Sequence, residues 1–124
     1  MNMPLKPIRL QFAVGLLCAG CRLLNAIPPS EVTASAMTEV RFRINMYLEK
    51  EHKLPASLSE LPQRSGFDNR TTDGWGHLLV YAVNGDVVTL TSHGRDDKPG
   101  GSGENSDEVR HYQVVVGKLQ EVDL

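Results

Sequence analysis

The sequence predicts an α+β fold: one N-terminal amphipathic helix packed on a small antiparallel sheet of three to four strands, with a Gly-rich acidic loop set into the sheet. Three observations carry this prediction. Apolar residues recur at three- and four-residue spacings across residues 30–50, the period of a helix with one buried stripe. Two β-rich runs, 78–83 and 87–91, flank Asn84-Gly85, a strong hairpin signal. A further β-rich run, 111–116 with Lys118-Leu119, follows a stretch too rich in glycine and carboxylates to continue either element.

The helix comes first. Pro28-Pro29 ends the preceding segment, Ser30 is placed as the N-cap, and Glu31 in the first turn complements the positive end of the helix dipole. Val32, Ala36, Met37, Val40, Ile44, Tyr47 and Leu48 form the stripe, with Glu39, Arg41, Arg43 and Glu49 largely off it. Such a stripe needs a sheet to cover it. Asp73-Gly74 then reads as a turn and Trp75 as a large buried anchor. Asn84-Gly85 is expected as the centre of a type I′ turn, because both residues tolerate positive φ.

The loop is the richest stretch chemically. Residues 92–108 contain four glycines, one proline and five carboxylates, and cannot bury enough apolar surface to order themselves. Such a loop is either a solvated acidic turn or is tied down by a hard cation. Calcium takes roughly six to eight oxygens from carboxylates, carbonyls and water. Asp96 and Asp107 bracket the glycines, so an ion between them would close the loop and screen the repulsion among Asp96, Asp97, Glu104, Asp107 and Glu108, leaving Arg95 and Lys98 to solvent. An EF-hand counted from Asp96 fails because Lys98 and Gly100 fall where oxygen side chains are needed. A P-loop fails because Glu104-Asn105 follows the glycines where Lys-Ser/Thr is required.

Three blocks in order, Asp73-Gly74-Trp75-Gly76-His77-Leu78-Leu79-Val80-Tyr81, Leu90-Thr91-Ser92-His93-Gly94-Arg95-Asp96 and Pro99-Gly100-Gly101-Ser102-Gly103-Glu104-Asn105-Ser106-Asp107, resemble the C-terminal half of the major pseudopilin of type II secretion systems. The similarity spans about residues 30–107. It implies a pilin-like head in which an Asp-x-Trp-Gly turn leads into a β-meander and the acidic loop holds structural calcium through aspartates and main-chain carbonyls. On that resemblance the metal ligands are Asp96 and Asp107, with Asp97 and Glu104 as further candidates, and Trp75, Gly76, Gly94, Gly100 and Gly101 are structural. Asp97 stands where the family usually has glycine, and Gly74 where it has proline. Residues 54–62 resemble the segment in which a proline stops the helix and a short helical turn pins leucines, here Leu58 and Leu61, to the core.

The N-terminus departs from the family. Its members begin with a basic leader, a cleavage site followed by Phe-Thr-x-x-Glu, and a long apolar helix, and none of these is read here. Lys6 and Arg9 precede the short apolar run 12–20 and then Cys21, the layout of a secretory signal, far below the ~20 apolar residues of a membrane span. Leu17-Cys18-Ala19-Gly20-Cys21 resembles a bacterial lipobox, which would place a lipid on Cys21. The alternatives are a truncated pilin leader and an uncleaved hydrophobic anchor. Residues 1–21 are therefore read as a signal with a lipobox, and residues 22–124 as one pseudopilin-like globular domain.

Composition narrows the function. A net charge of −2 over 124 residues, with Lys and Arg scattered, supplies no basic face for nucleic acid. His52, His77, His93 and His111 lie far apart, and HExxH, paired-Cys and G-x-S-x-G patterns are missing, so no enzyme is expected. The expectation is an exported periplasmic or cell-envelope protein, membrane-associated through its N-terminus. It would be a calcium-stabilised structural subunit of a type II secretion or related pilus-like assembly, with pseudopilus subunits or further copies of itself as partners. The alternative is a tethered lipoprotein that reuses the head as a binding module without polymerising.

Overall fold

A computed structural model describes residues 27–124. Helix α1 spans Pro29–Glu51. Strands β1 (Val80–Asn84), β2 (Val87–Ser92), β3 (Glu108–Val115) and β4 (Lys118–Val122) follow and form one antiparallel sheet in the order β1-β2-β3-β4. This is the expected α+β arrangement, a helix on a four-stranded meander.

The start of α1 differs from expectation. Pro28, with φ −59° and ψ 141°, is the N-cap, no side chain among the described residues caps the helix, and Ser30 lies inside it. Proline's fixed φ suits the first helical position and its missing N–H costs nothing there; the Pro28 carbonyl accepts from Glu31 and Val32 N–H at 3.0 and 3.2 Å. At the other end His52 takes the left-handed conformation (φ 57°) and donates its N–H to the Leu48 carbonyl at 2.9 Å. The helix therefore closes three residues before Pro55, by a left-handed cap.

The stripe on α1 packs on the inner face of the sheet. Met37, Val40 and Ile44 are fully buried, with Ala36 and Leu48 nearly so, against Val88, Leu90, Tyr112 and Leu119. Burying each large aliphatic side chain contributes about 1.5–3 kcal/mol. The register explains the selection: Tyr81 faces Leu90 and Val88 faces Tyr112, so alternate residues of the central strands reach the helix, while Val83, beside Val88 on the edge strand, stays exposed. Leu119 N–H donates to Asn45 Oδ1 at 2.8 Å, which seats α1 over β4. Leu58 and Leu61 pack against the same core from a 3₁₀ turn at Leu58–Glu60.

Two further corrections concern side chains and turns. Arg43, placed off the stripe, is only 3% exposed: its guanidinium reaches across the core edge and donates from Nε to the Pro62 carbonyl and from Nη1 to the Asn69 carbonyl, at 2.8 and 3.1 Å. The β1–β2 turn is centred on Gly85-Asp86, one residue later than expected, since Asn84 pairs with Val87. Only Gly85 has positive φ there, which is the II′ pattern. The run expected as a third strand is two strands: Val116 and Gly117 both take positive φ (50° and 76°) and reverse the chain between Val115 and Lys118.

Candidate functional site

The site is built where α1, the Asp73 turn and the connection between β2 and β3 meet. Asp73 is buried at 1% exposure. Its Oδ1 accepts the N–H groups of Trp75 and His77 at 3.0 and 2.9 Å, the behaviour of an aspartate opening an Asx turn. Its Oδ2 accepts the Ser92 hydroxyl at 2.7 Å, and Ser92 Oγ accepts Gly94 N–H at 3.2 Å. On the other side Gly74 N–H donates to Thr33 Oγ1 at 2.9 Å, and a Cβ on Gly74 would lie 2.0 Å from the Pro29 carbonyl oxygen. The carboxylate thus ties the root of the loop to the Asp73 turn, and the Gly74 N–H ties that turn to Thr33 on the helix.

The loop, residues 93–107, folds back on itself. Arg95 N–H donates to the Glu104 carbonyl at 2.8 Å, and a 3₁₀ turn spans Gly103–Asn105. Gly94 has φ 73°; a Cβ there would meet the carbonyl oxygens of Glu104 at 2.7 Å and Ser106 at 2.8 Å. Only glycine permits that convergence. Gly100 N–H donates to Asp107 Oδ2 at 3.1 Å, and His93 Nδ1 lies 3.3 Å from Asp107 Oδ1, an ion-pair distance without hydrogen-bond alignment. The Gly100 N–H holds the Asp107 carboxyl below the ordinary carboxylate range; partial desolvation opposes this and His93 adds to it. Outside the loop, His77 Nε2 lies 3.1 Å from the Arg95 carbonyl and His77 Nδ1 lies 3.7 Å from Asp97 Oδ2.

The expected ligands are only partly gathered. Asp107, at the end of the loop and exposed, accepts Gly100 N–H and faces His93. Asp96 accepts Lys98 N–H at 3.2 Å on the exposed limb, and no contact joins it to Asp107 among the described residues. Asp97 faces His77, while Glu104 forms an exposed pair with Arg95 at 3.5 Å. Gly76, Gly100 and Gly101 all take positive φ. Trp75 is half-buried instead of enclosed; it walls a cleft of about 390 Å³ with Pro28, Pro29, Glu104, Asp107 and Glu108.

The donor chemistry suits a hard cation. The oxygens at hand are the carbonyls of Glu104 and Ser106 beside Gly94, that of Asn105 beside Gly101, and the Asp107 carboxylate, held ionised, the oxygen types that calcium prefers. No group of three or more His, Cys, Asp or Glu side chains gathers around one point among the described residues, so main-chain carbonyls and water would supply much of the shell. Sequence reasoning missed Asp73 as the organising residue. Aspartate opening a turn is the local signal that could have found its bond with Trp75, but nothing local pointed to Ser92.

Cys21, the residue expected to carry lipid, and the expected signal at 1–21 lie outside the described residues. No helix among the described residues is long and apolar enough to cross a membrane. The family model described as type II secretion system (T2SS), protein G, matches residues 30–111, which covers α1, the Asp73 turn, the loop and the first half of β3. No curated protein and no solved structure matches the chain.

Proposed function

The chain belongs to the type II secretion system protein G family, and from that premise we propose that it is a non-enzymatic, calcium-stabilised structural subunit of the pseudopilus or of a related pilus-like assembly. The family is a structural component of the secretion apparatus, exported to the cell envelope, whose subunits assemble with one another. Calcium is the finer part of the reading, and the observation that carries it is the folded loop. Carbonyls of residues 104–106 crowd Gly94, and the ionised Asp107 carboxylate lies across the same loop. When bound, the ion neutralises the acidic loop and links its two limbs. Asp107 would hold it from one limb and Asp96 from the other, with Asp97 and Glu104 as further candidates. Asp96 reaches it by giving up the Lys98 N–H, an exchange available to an exposed side chain.

Thermal melts of the protein in excess calcium and in chelator test this. Binding to the native state alone stabilises by RT ln(1 + [L]/Kd), about 2.7 kcal/mol at a hundredfold excess over Kd. The expected outcome is a calcium-dependent rise in Tm that Asp96→Ala and Asp107→Ala each reduce, with little effect of either variant in chelator. Identical melts in calcium and chelator would remove the ion from the reading while leaving the family assignment intact.

The same reading places the head in the periplasm or on the envelope, tethered to membrane through a lipid on Cys21. Cys21→Ser is then expected to move the protein from the membrane to the soluble fraction, and unchanged partitioning would remove the lipid anchor. The partners are other pseudopilus subunits and further copies of this chain. No observation favours a tethered binding module that does not polymerise.

A further inference from the structure

A second cleft, of about 520 Å³, opens between α1, residues 56–63 and the start of β1. It shares no lining residue with the cleft beside Trp75. Arg43 lines it. This guanidinium is 97% removed from solvent and bonds two neutral main-chain carbonyls through Nε and Nη1. No carboxylate lies within ion-pair distance of it among the described residues. Glu39, one turn earlier, supports its charge from a distance, but Glu39 Oε2 is taken by Arg64. Among the described residues Nη2 forms no hydrogen bond.

Buried charges are ordinarily paired, because desolvating an ion is costly without a counter-charge. A guanidinium meets a planar carboxylate as a fork, which is its best-matched partner. Around Arg43 the cleft offers hydroxyl and amide groups from Ser57, Gln63 and Thr71, with apolar walls from Leu58, Leu78 and Leu79. From this juxtaposition we infer that the cleft beside Arg43 is a binding site for a carboxylate carried on an apolar body. That chemistry arrives either as an acidic side chain among apolar neighbours on an adjoining subunit or as a free organic acid.

Arg43 also pins residues 62 and 69, so its removal would confuse folding with binding. Leu78, 71% exposed on the rim, gives the cleaner variant. The protein is titrated with sodium hexanoate, and with hexanamide as the neutral control, while the Arg43 Nε–H and the Thr71 and Asn69 amide resonances are followed by NMR. The expected result is a saturable shift with hexanoate, none with hexanamide, and at least a tenfold weaker affinity in Leu78→Glu, whose melting temperature is unchanged. Equal responses to the two probes, a shift that never saturates, or full affinity in Leu78→Glu would each overturn the site. Sedimentation separates the two sources. If an adjoining copy supplies the carboxylate, hexanoate lowers the mass of wild-type assemblies, and Leu78→Glu is already dispersed. If the ligand is a free acid, the mass does not change while the resonances still shift.

Discussion

Tyr81 donates its hydroxyl to the Pro55 carbonyl at 2.8 Å, and burial, with smaller contributions from Glu60 and Tyr47, pushes its phenol up to about 12. The unfolded phenol titrates near ~10. Between those values the unfolded chain binds fewer protons than the folded one, so stability falls as pH rises through that window and is fully present below it. Tyr81→Phe is expected to flatten this part of the profile in urea midpoints taken between pH 9 and 12, while costing about 1 kcal/mol at neutral pH for the lost bond. Tyr112, also raised by burial, keeps a residual slope. The contrast with Arg43 shows what a sequence discloses about single residues. Arg43 stands three positions after Val40 and seven after Ala36, on the stripe by spacing, and only its charge argued it outward. Its placement depends on carbonyls 19 and 26 residues away, which no local pattern encodes.

At the scale of elements, the least comfortable turn is the β3–β4 hairpin. Val116 sits at φ 50° and is 97% exposed, so a β-branched side chain bears left-handed strain with no packing to offset it. Val116→Asn is expected to raise stability by about 1 kcal/mol, read from the denaturant midpoint at constant m-value. The same residue explains why β3 and β4 read as one strand, since a valine in a β-rich run argues for continuation and Gly117 alone was too weak a signal. Helix α1 and the β1–β2 hairpin were legible because their periodicities are long or their turn residues specific. The turn's one-residue offset was not, because pairing of Asn84 with Val87 is settled by how the neighbouring rows meet the helix.

Across the whole molecule, Asp73 is the residue through which helix, turn and loop share one fate. Asp73→Ala leaves the Ser92 hydroxyl and two N–H groups without their acceptor in a buried place and is expected to cost at least about 3 kcal/mol. Asp73→Asn, which keeps the Oδ1 acceptor, should lose only part of that. Faster hydrogen exchange at both residues 30–33 and 94–107 in Asp73→Asn would verify the linkage, and acceleration confined to residues 73–77 would refute it. The loop's composition was plain in the sequence and its enclosure was not, because the folding-back of residues 93–107 relies on carbonyls crowding Gly94, a fact of backbone geometry with no signature of its own. The meander carries a consequence of another kind. β2 and β3 are neighbours in both sequence and space, and their register runs from Val87–Gln113 to Ser92–Glu108 without help from the chain between them. Beyond the Ser92–Gly94 root that Asp73 holds, residues 95–107 are therefore an exchangeable cassette. Closing a loop half or twice as long changes the entropy by only about 0.6 kcal/mol, so this connection can be shortened, lengthened or given a new chemistry while the scaffold beneath keeps its shape.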